Sequence, residues 1–360
     1  MNIIFVTISM VGGGTERVIS VLANHAASLG QKVTIMMIAD DRVEYKLDDR
    51  INVICVSKAT GGSLIGRLKR LSAMRKVIKE SDGAGVIAMG SSAGLFTLLA
   101  TMGLENPVVV SERNPPNRLN LKPISRPMKF IREFLYSRAS KVVLQTEDSK
   151  ECFGSKAVAN ATTIMNPLTD DIFSYDTSGE REYTILSAGR FVDYKAFDFL
   201  IDSFAEFSKT HPEYKLKIFG KGDLEDELKA QIDGLGLNDK ALMCGFSNDL
   251  YSELIKGGMF VSPSRLEGIS NALMEALALG IPVIATDCPV GGSRMCIENN
   301  VNGILVPVDD KEAMVKAMCK VADDREFRDS IVSKAKERSH DWAVDAIWKQ
   351  WMAQLTVRRK

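Results

Sequence analysis

Histidine is scarce in this sequence, with three in 360 residues, and none of its six cysteines is spaced Cys-x-x-Cys with another. A disulfide scaffold and a zinc site are therefore both excluded. No run of uncharged apolar residues reaches the roughly 18 that a spanning helix needs. The opening MNIIFVTI has no basic segment ahead of it and passes straight into a glycine turn, so it reads as a first strand and not a signal peptide. A cytoplasmic location is expected, with peripheral contact to the inner face of the cell membrane as a further option. Net charge is also missing, 46 Lys and Arg against 46 Asp and Glu, and nothing indicates a nucleic-acid partner.

What is present suits two domains of about 150 to 180 residues. Hydrophobic residues make up 45% and charged residues 26%, the balance of a soluble globular chain. The charge is unevenly spread: residues 1–170 hold 22 Lys and Arg against 15 Asp and Glu, and the remainder is acidic to the same extent. The first half is thus expected to meet something anionic, a phosphate-bearing substrate or a membrane surface.

The most informative stretch is Phe260 to Thr286, FVSPSRLEGISNALMEALALGIPVIAT. It reads as strand, loop, helix, strand, with Ser270 as N-cap and Gly280 and Pro282 ending the helix. Glu267 falls just ahead of the helix and Glu275 inside it. The N–H groups at Gly268, Ile269, Ser270 and Asn271 and the positive helix end would bind a diphosphate, leaving a carboxylate for a sugar hydroxyl on either side. That describes a nucleotide sugar. Acidic residues also favour helix starts, and spacing alone leaves that plainer reading equally open.

Glu267 to Ala276 resembles the Glu, seven residues, Glu signature of the retaining family 4 glycosyltransferases. Gly189 to Asp198 resembles that family's Gly-Arg…Lys-Gly motif, with Ala196 where the family more often has Gly. The resemblance implies the GT-B fold: two Rossmann-like α/β domains, 1–168 for the acceptor and 169–340 for the nucleotide sugar, facing a central cleft. A last helix, 341–360, would return to the first domain. It also implies that Arg190 and Lys195 grip the donor diphosphate, Glu267 lies by the donor hexose, and Glu275 binds the ribose. Further donor contacts are expected at Gly13 and Gly14, where Gly12-Gly13-Gly14-Thr15-Glu16-Arg17 resembles the family's glycine loop. Others are expected at Gly220 of a Gly-x-Gly turn and at Gly245 and Phe246 after another strand.

On the acceptor side, Leu64 to Lys79 is a basic helix with Leu64, Leu68, Leu71, Met74, Arg75 and Ile78 at helical spacing. Its layout, with Glu44 to Leu47 and Ser111 to Asn114, is similar to transferases that build glycans on polyprenyl diphosphate. Arg67, Arg70 and Lys76 would then hold an acceptor diphosphate or an anionic membrane surface, and Glu112, Arg113 and Asn114 would bind the acceptor. A solvated charged face and a structural loop are the competing readings. His25 lies on an apolar helix face and reads as packed, not catalytic.

The function expected is transfer of a hexose or N-acetylhexosamine, UDP-linked by first choice, to a glycan acceptor on a lipid carrier, with retention. No cofactor or metal is expected: the sequence has no Asp-x-Asp, and Arg190, Lys195 and the helix N–H groups would neutralise the leaving diphosphate. A sugar-nucleotide epimerase, an oxidoreductase and a non-catalytic binding module are the alternatives.

Overall fold

Strand β1 (Asn2–Thr7) turns through the glycine loop into α1 (Gly14–Ser28) and opens a strand–helix alternation that runs nearly the whole chain. In a computed structural model that describes residues 1–56, 64–81, 83–113, 126–247 and 249–356, two compact units emerge. One is Met1–Pro167 with Trp342–Lys360, and the other is Leu168–Asp341.

After α1, the first unit continues through β2 (Lys32–Met37), β3 (Asn52–Cys55), α2 (Leu64–Glu80), β4 (Gly85–Met89), α3 (Ser91–Ala100) and β5 (Val108–Ser111). Then come α4 (Arg126–Tyr136), β6 (Lys141–Leu144), the single turn α5 (Ser155–Val158) and β7 (Ala161–Thr163). The seven strands form one sheet in the order β3-β2-β1-β4-β5-β6-β7, all parallel. Parallel strands are covered on both faces, which is why β1, β4 and β5 are unbroken buried runs.

The second unit repeats the plan through β8 (Thr184–Ala188), α6 (Phe197–Phe207), β9 (Lys215–Phe219), α7 (Glu225–Gly234), β10 (Ala241–Gly245), α8 (Leu250–Leu254) and β11 (Met259–Ser262). It continues with α9 (Asn271–Ala278), β12 (Val283–Thr286), α10 (Gly292–Cys296), β13 (Ile304–Val306), α11 (Lys311–Asp323) and α12 (Arg325–Ser339). Its six strands are also parallel, in the order β10-β9-β8-β11-β12-β13. The segment ahead of β8 is fastened to this unit: Ile172 is buried, and the Arg181 guanidinium donates to the carbonyl of Gly280 at 2.7 Å.

Helix α13 (Val344–Leu355) belongs to the first unit, where Ile347, Trp348 and Trp351 are buried against α1 and β1. The Trp348 ring lies 6.3 Å from that of Phe5. Trp342, inside the 341–360 span expected for the last helix, instead closes a separate 3-10 turn, His340–Trp342. His25 faces Asp345 of α13 at 3.7 Å.

One sequence reading is corrected in α2. Met74 and Ile78 join the core and Leu71 is half-buried, yet Leu68, expected on the same stripe, is 57% exposed. Only the C-terminal half of α2 packs down. There Arg75 donates to the carbonyls of Ala100 and Met102 at 2.9 and 2.6 Å, capping the end of α3.

Candidate functional site

Because the second sheet is parallel, the loops after β8, β9, β10, β11 and β12 all leave from one edge. Ligands bind outside the carboxyl ends of strands in such sheets. The loop after β8 carries Arg190 and Lys195, and the loop after β11 carries Glu267; the fold brings them together. Lys195 Nζ forms an ion pair with Glu267 Oε2, and both side chains are largely buried. Arg190 is exposed, its Nη2 donating to the Tyr194 hydroxyl at 3.1 Å.

Backbone contacts fix these loops. The Glu267 amide donates to Pro289 O at 2.8 Å, and the Arg265 amide donates to Tyr194 O at 2.8 Å. Gly189 N donates to Phe219 O, and Gly220 N to Gly245 O. A Cβ at Gly220 (φ 148°) would stand 1.8 Å from Gly189 O, and one at Gly222 2.5 Å from Phe191 O. The Gly-x-Gly turn is therefore required by the neighbouring Gly189–Phe191 loop, whatever else it touches. Gly292 does the same for Gly268, whose carbonyl lies 1.6 Å from where its Cβ would be.

Ser270 caps α9 as expected, its hydroxyl accepting from Leu273 N at 3.4 Å. Gly268 and Ile269 are buried just before the helix, Asn271 begins it, and Glu275 is buried in its second turn. Gly245 has φ 71°, and Phe246 is 67% exposed beneath the Lys221 ammonium, 5.4 Å away.

Sequence reasoning missed Arg265, which ties the site's loops together. Its guanidinium forms a fork with Asp198 at 3.0 and 2.8 Å and bonds Asp309 at 2.8 Å, while Nη1 reaches Asp193 O at 3.3 Å. Nothing in PSRLEG marks it, because its partners lie 67 and 44 residues away. Buried Cys288 was also missed. Burial pushes its thiol up to about 11, with the charge of Glu267 adding to the effect, so it is a neutral neighbour of the pair.

In the first unit, Gly13 precedes α1 in an extended conformation, and Gly14 starts the helix. The Gly13 N–H donates to the Tyr45 hydroxyl at 3.0 Å, that hydroxyl donates to Gly13 O at 2.7 Å, and Gly12 N donates to Glu44 at 2.9 Å. Glu44 and Tyr45 thus close over the glycine loop.

At the end of β5, Glu112 and Arg113 are both buried. Glu112 accepts from Ser91 Oγ at 2.6 Å and from the Tyr136 hydroxyl, and burial raises its carboxyl above the usual range. Arg113 donates from Nη2 to Asn166 Oδ1, but its Nε and Nη1 have no hydrogen-bond partner among the described residues. Burial lowers its pKa to about 10. Asn114 lies outside the described residues. On α2, Arg67 and Lys76 are exposed and Arg70 is half-buried; Lys76 stands 3.9 Å from Glu80.

Comparison with known proteins finds glycosyltransferases. Residues 170–338 match the family described as Glycosyl transferases group 1. The chain is 28% identical over 360 residues, 98% of it and 97% of the relative, to a Campylobacter jejuni protein. That relative is a GalNAc-α-(1→4)-GalNAc-α-(1→3)-diNAcBac-PP-undecaprenol α-1,4-N-acetyl-D-galactosaminyltransferase. The chain is also 26% identical over 341 residues, 94% of it and 95% of the relative, to an uncharacterized glycosyltransferase of Haemophilus influenzae. Among solved structures, Anabaena HepE in complex with UDP superposes with a TM-score of 0.82 at 20% identity, covering 99% of this chain and all of that one. The fold is GT-B, two Rossmann-like α/β units.

Proposed function

We propose that this chain, a glycosyltransferase whose residues 170–338 match group 1 of that class, moves a hexose or N-acetylhexosamine from a UDP-sugar to a glycan on a polyprenyl-diphosphate carrier, with retention. The observation that carries the reading is the Lys195–Glu267 pair, assembled from two loops at the carboxyl edge of the second sheet beside the α9 N-terminus. Arg190 and Lys195 neutralise the diphosphate as its charge grows, helped by the N–H groups ahead of α9. Those groups supply the positive charge without a metal. Glu267 positions the hexose through its hydroxyls, and Glu275 takes the ribose. No carboxylate of the site is assigned as a nucleophile, so the acceptor hydroxyl attacks from the face that the diphosphate leaves, which retains the anomeric configuration.

The first unit is proposed to bind the acceptor. Arg113, a buried cation whose Nε and Nη1 have no hydrogen-bond partner among the described residues, suits an anionic group there, and Arg67, Arg70 and Lys76 of α2 suit its diphosphate or the anionic membrane that carries it. The C. jejuni relative acts on an undecaprenyl-diphosphate glycan, which supports this class of acceptor. The epimerase alternative is not favoured, since the named relatives are transferases. A thermal-shift panel of UDP- and GDP-sugars tests the donor: a ligand at 100 times its dissociation constant stabilises by about 2.7 kcal/mol. A UDP-sugar should give the shift and Lys195→Ala should lose it; a shift with GDP-sugars alone would contradict the proposal.

A further inference from the structure

Helix α4 is amphipathic the wrong way round for a helix that only covers a sheet. An arginine of its second turn points in: Arg132 is 4% exposed, lies 4.6 Å over the Phe153 ring and stands 3.7 Å from Glu133. Its two phenylalanines point out, Phe130 74% and Phe134 52% exposed, as does Ile131 at 45%, while Tyr136 at its end is buried. Together with exposed Pro127, these residues follow the i, i+3, i+4, i+7 spacing of a single stripe. Helix α3 packs against both α4 and α2, and α2 adds Ile65 and Leu68, 68% and 57% exposed. Apolar side chains left in water on α4, and on α2 across α3 from it, mark an interaction surface.

Charge selects the occupant. Lys129 and Arg138 flank the α4 stripe, and Arg67, Lys69 and Lys76 are exposed on α2. The acidic residue of α4, Glu133, turns inward to accept from Gly154 N at 2.9 Å. Two copies meeting through this face would bring the same cations against each other. An anionic bilayer instead offers apolar chains to the aromatics and phosphates to the cations, each worth more together than alone.

We propose that the outward face of α4 inserts at the headgroup–acyl boundary of an anionic membrane, and that the exposed cations of α2 rest on the phosphates beside it. This rests on the membrane-carried acceptor proposed above and names the part of the protein that enters the bilayer. It makes binding partly resistant to salt, since screening weakens only the cations.

Co-sedimentation of the full chain with vesicles of phosphatidylcholine and phosphatidylglycerol, without donor or acceptor, tests it at low salt and at about 1 M, where the screening length is about 3 Å. Wild type should keep a salt-resistant bound fraction, and Phe130→Ser/Phe134→Ser should reduce that fraction at least about tenfold with its far-UV circular dichroism unchanged. The Phe130→Trp variant should shift its emission to shorter wavelength, relative to wild type, when vesicles are added. Equal salt-resistant binding by the double variant, no such emission shift in Phe130→Trp, or vesicle-free self-association abolished by the double variant would each overturn the proposal. Transfer to an acceptor in detergent micelles needs no bilayer, so failure there would strike the acceptor reading and not the role of α4.

Discussion

Ala196 sits at φ 53° and ψ 40°, in the left-handed region, buried at the junction between Lys195 and α6. A Cβ there costs roughly 1 to 2 kcal/mol. The sequence shows only a departure from a Gly-preferring motif; the fold shows that the position takes the left-handed conformation glycine adopts most readily. Glu112 was legible as a candidate through the resemblance of Ser111 to Asn114, but not its surroundings, because Ser91 and Tyr136 stand 21 and 24 residues away. Burial raises its carboxyl pKa in the folded state above the unfolded value of about 4.3. A raised pKa stabilises the fold fully below the unfolded pKa, and that contribution is gone once pH has risen through the folded pKa. Glu112→Gln lacks this titration. Its stability relative to wild type should therefore rise with pH over that window, by at most about 1.4 kcal/mol per pH unit, as read from urea midpoints. A difference independent of pH would show that Glu112 is not held neutral by burial.

At the scale of elements, most strands could be read because parallel strands, buried on both faces, are apolar runs, as in Lys141–Leu144. Two three-residue strands, β7 and β13, had no such signal: Ala161-Thr162-Thr163 is only half-buried at the sheet edge, and Ile304–Val306 is short. Periodicity revealed the helix α2 but not which of its turns pack, since Leu68 and Met74 have the same spacing signal and opposite exposures. The loops of the site were legible as positions and not as a mechanical unit. Arg265 makes them one, joining the β11–α9 loop to the start of α6 and to Asp309 ahead of α11. Arg265→Ala should cost about 1 kcal/mol of stability, as partly exposed pairs do, yet lower kcat at least about tenfold by loosening Lys195 and Glu267. Arg265→Lys, which keeps the charge but not the fork, should recover little of that kcat. Full kcat in the Ala variant would show that the clamp does not position the pair.

For the whole molecule, the excess of cations in residues 1–170 and the acidic remainder fit a first unit that meets a lipid-carried diphosphate and a second that holds the donor on a few chosen cations. No helix among the described residues is long and apolar enough to cross a membrane. The central claim is that the Lys195–Glu267 pair drives transfer of a sugar from a UDP donor. The most direct measurement is the initial rate at which labelled sugar passes from the UDP-sugar chosen by thermal shift to a polyprenyl-diphosphate glycan, with EDTA present, for wild type and Lys195→Ala. Charge-assisted bonds contribute roughly 1.5 to 3 kcal/mol, so the account predicts transfer by wild type and a rate at least about tenfold lower in the variant. Undiminished transfer by Lys195→Ala, or wild-type transfer abolished by EDTA, would contradict it.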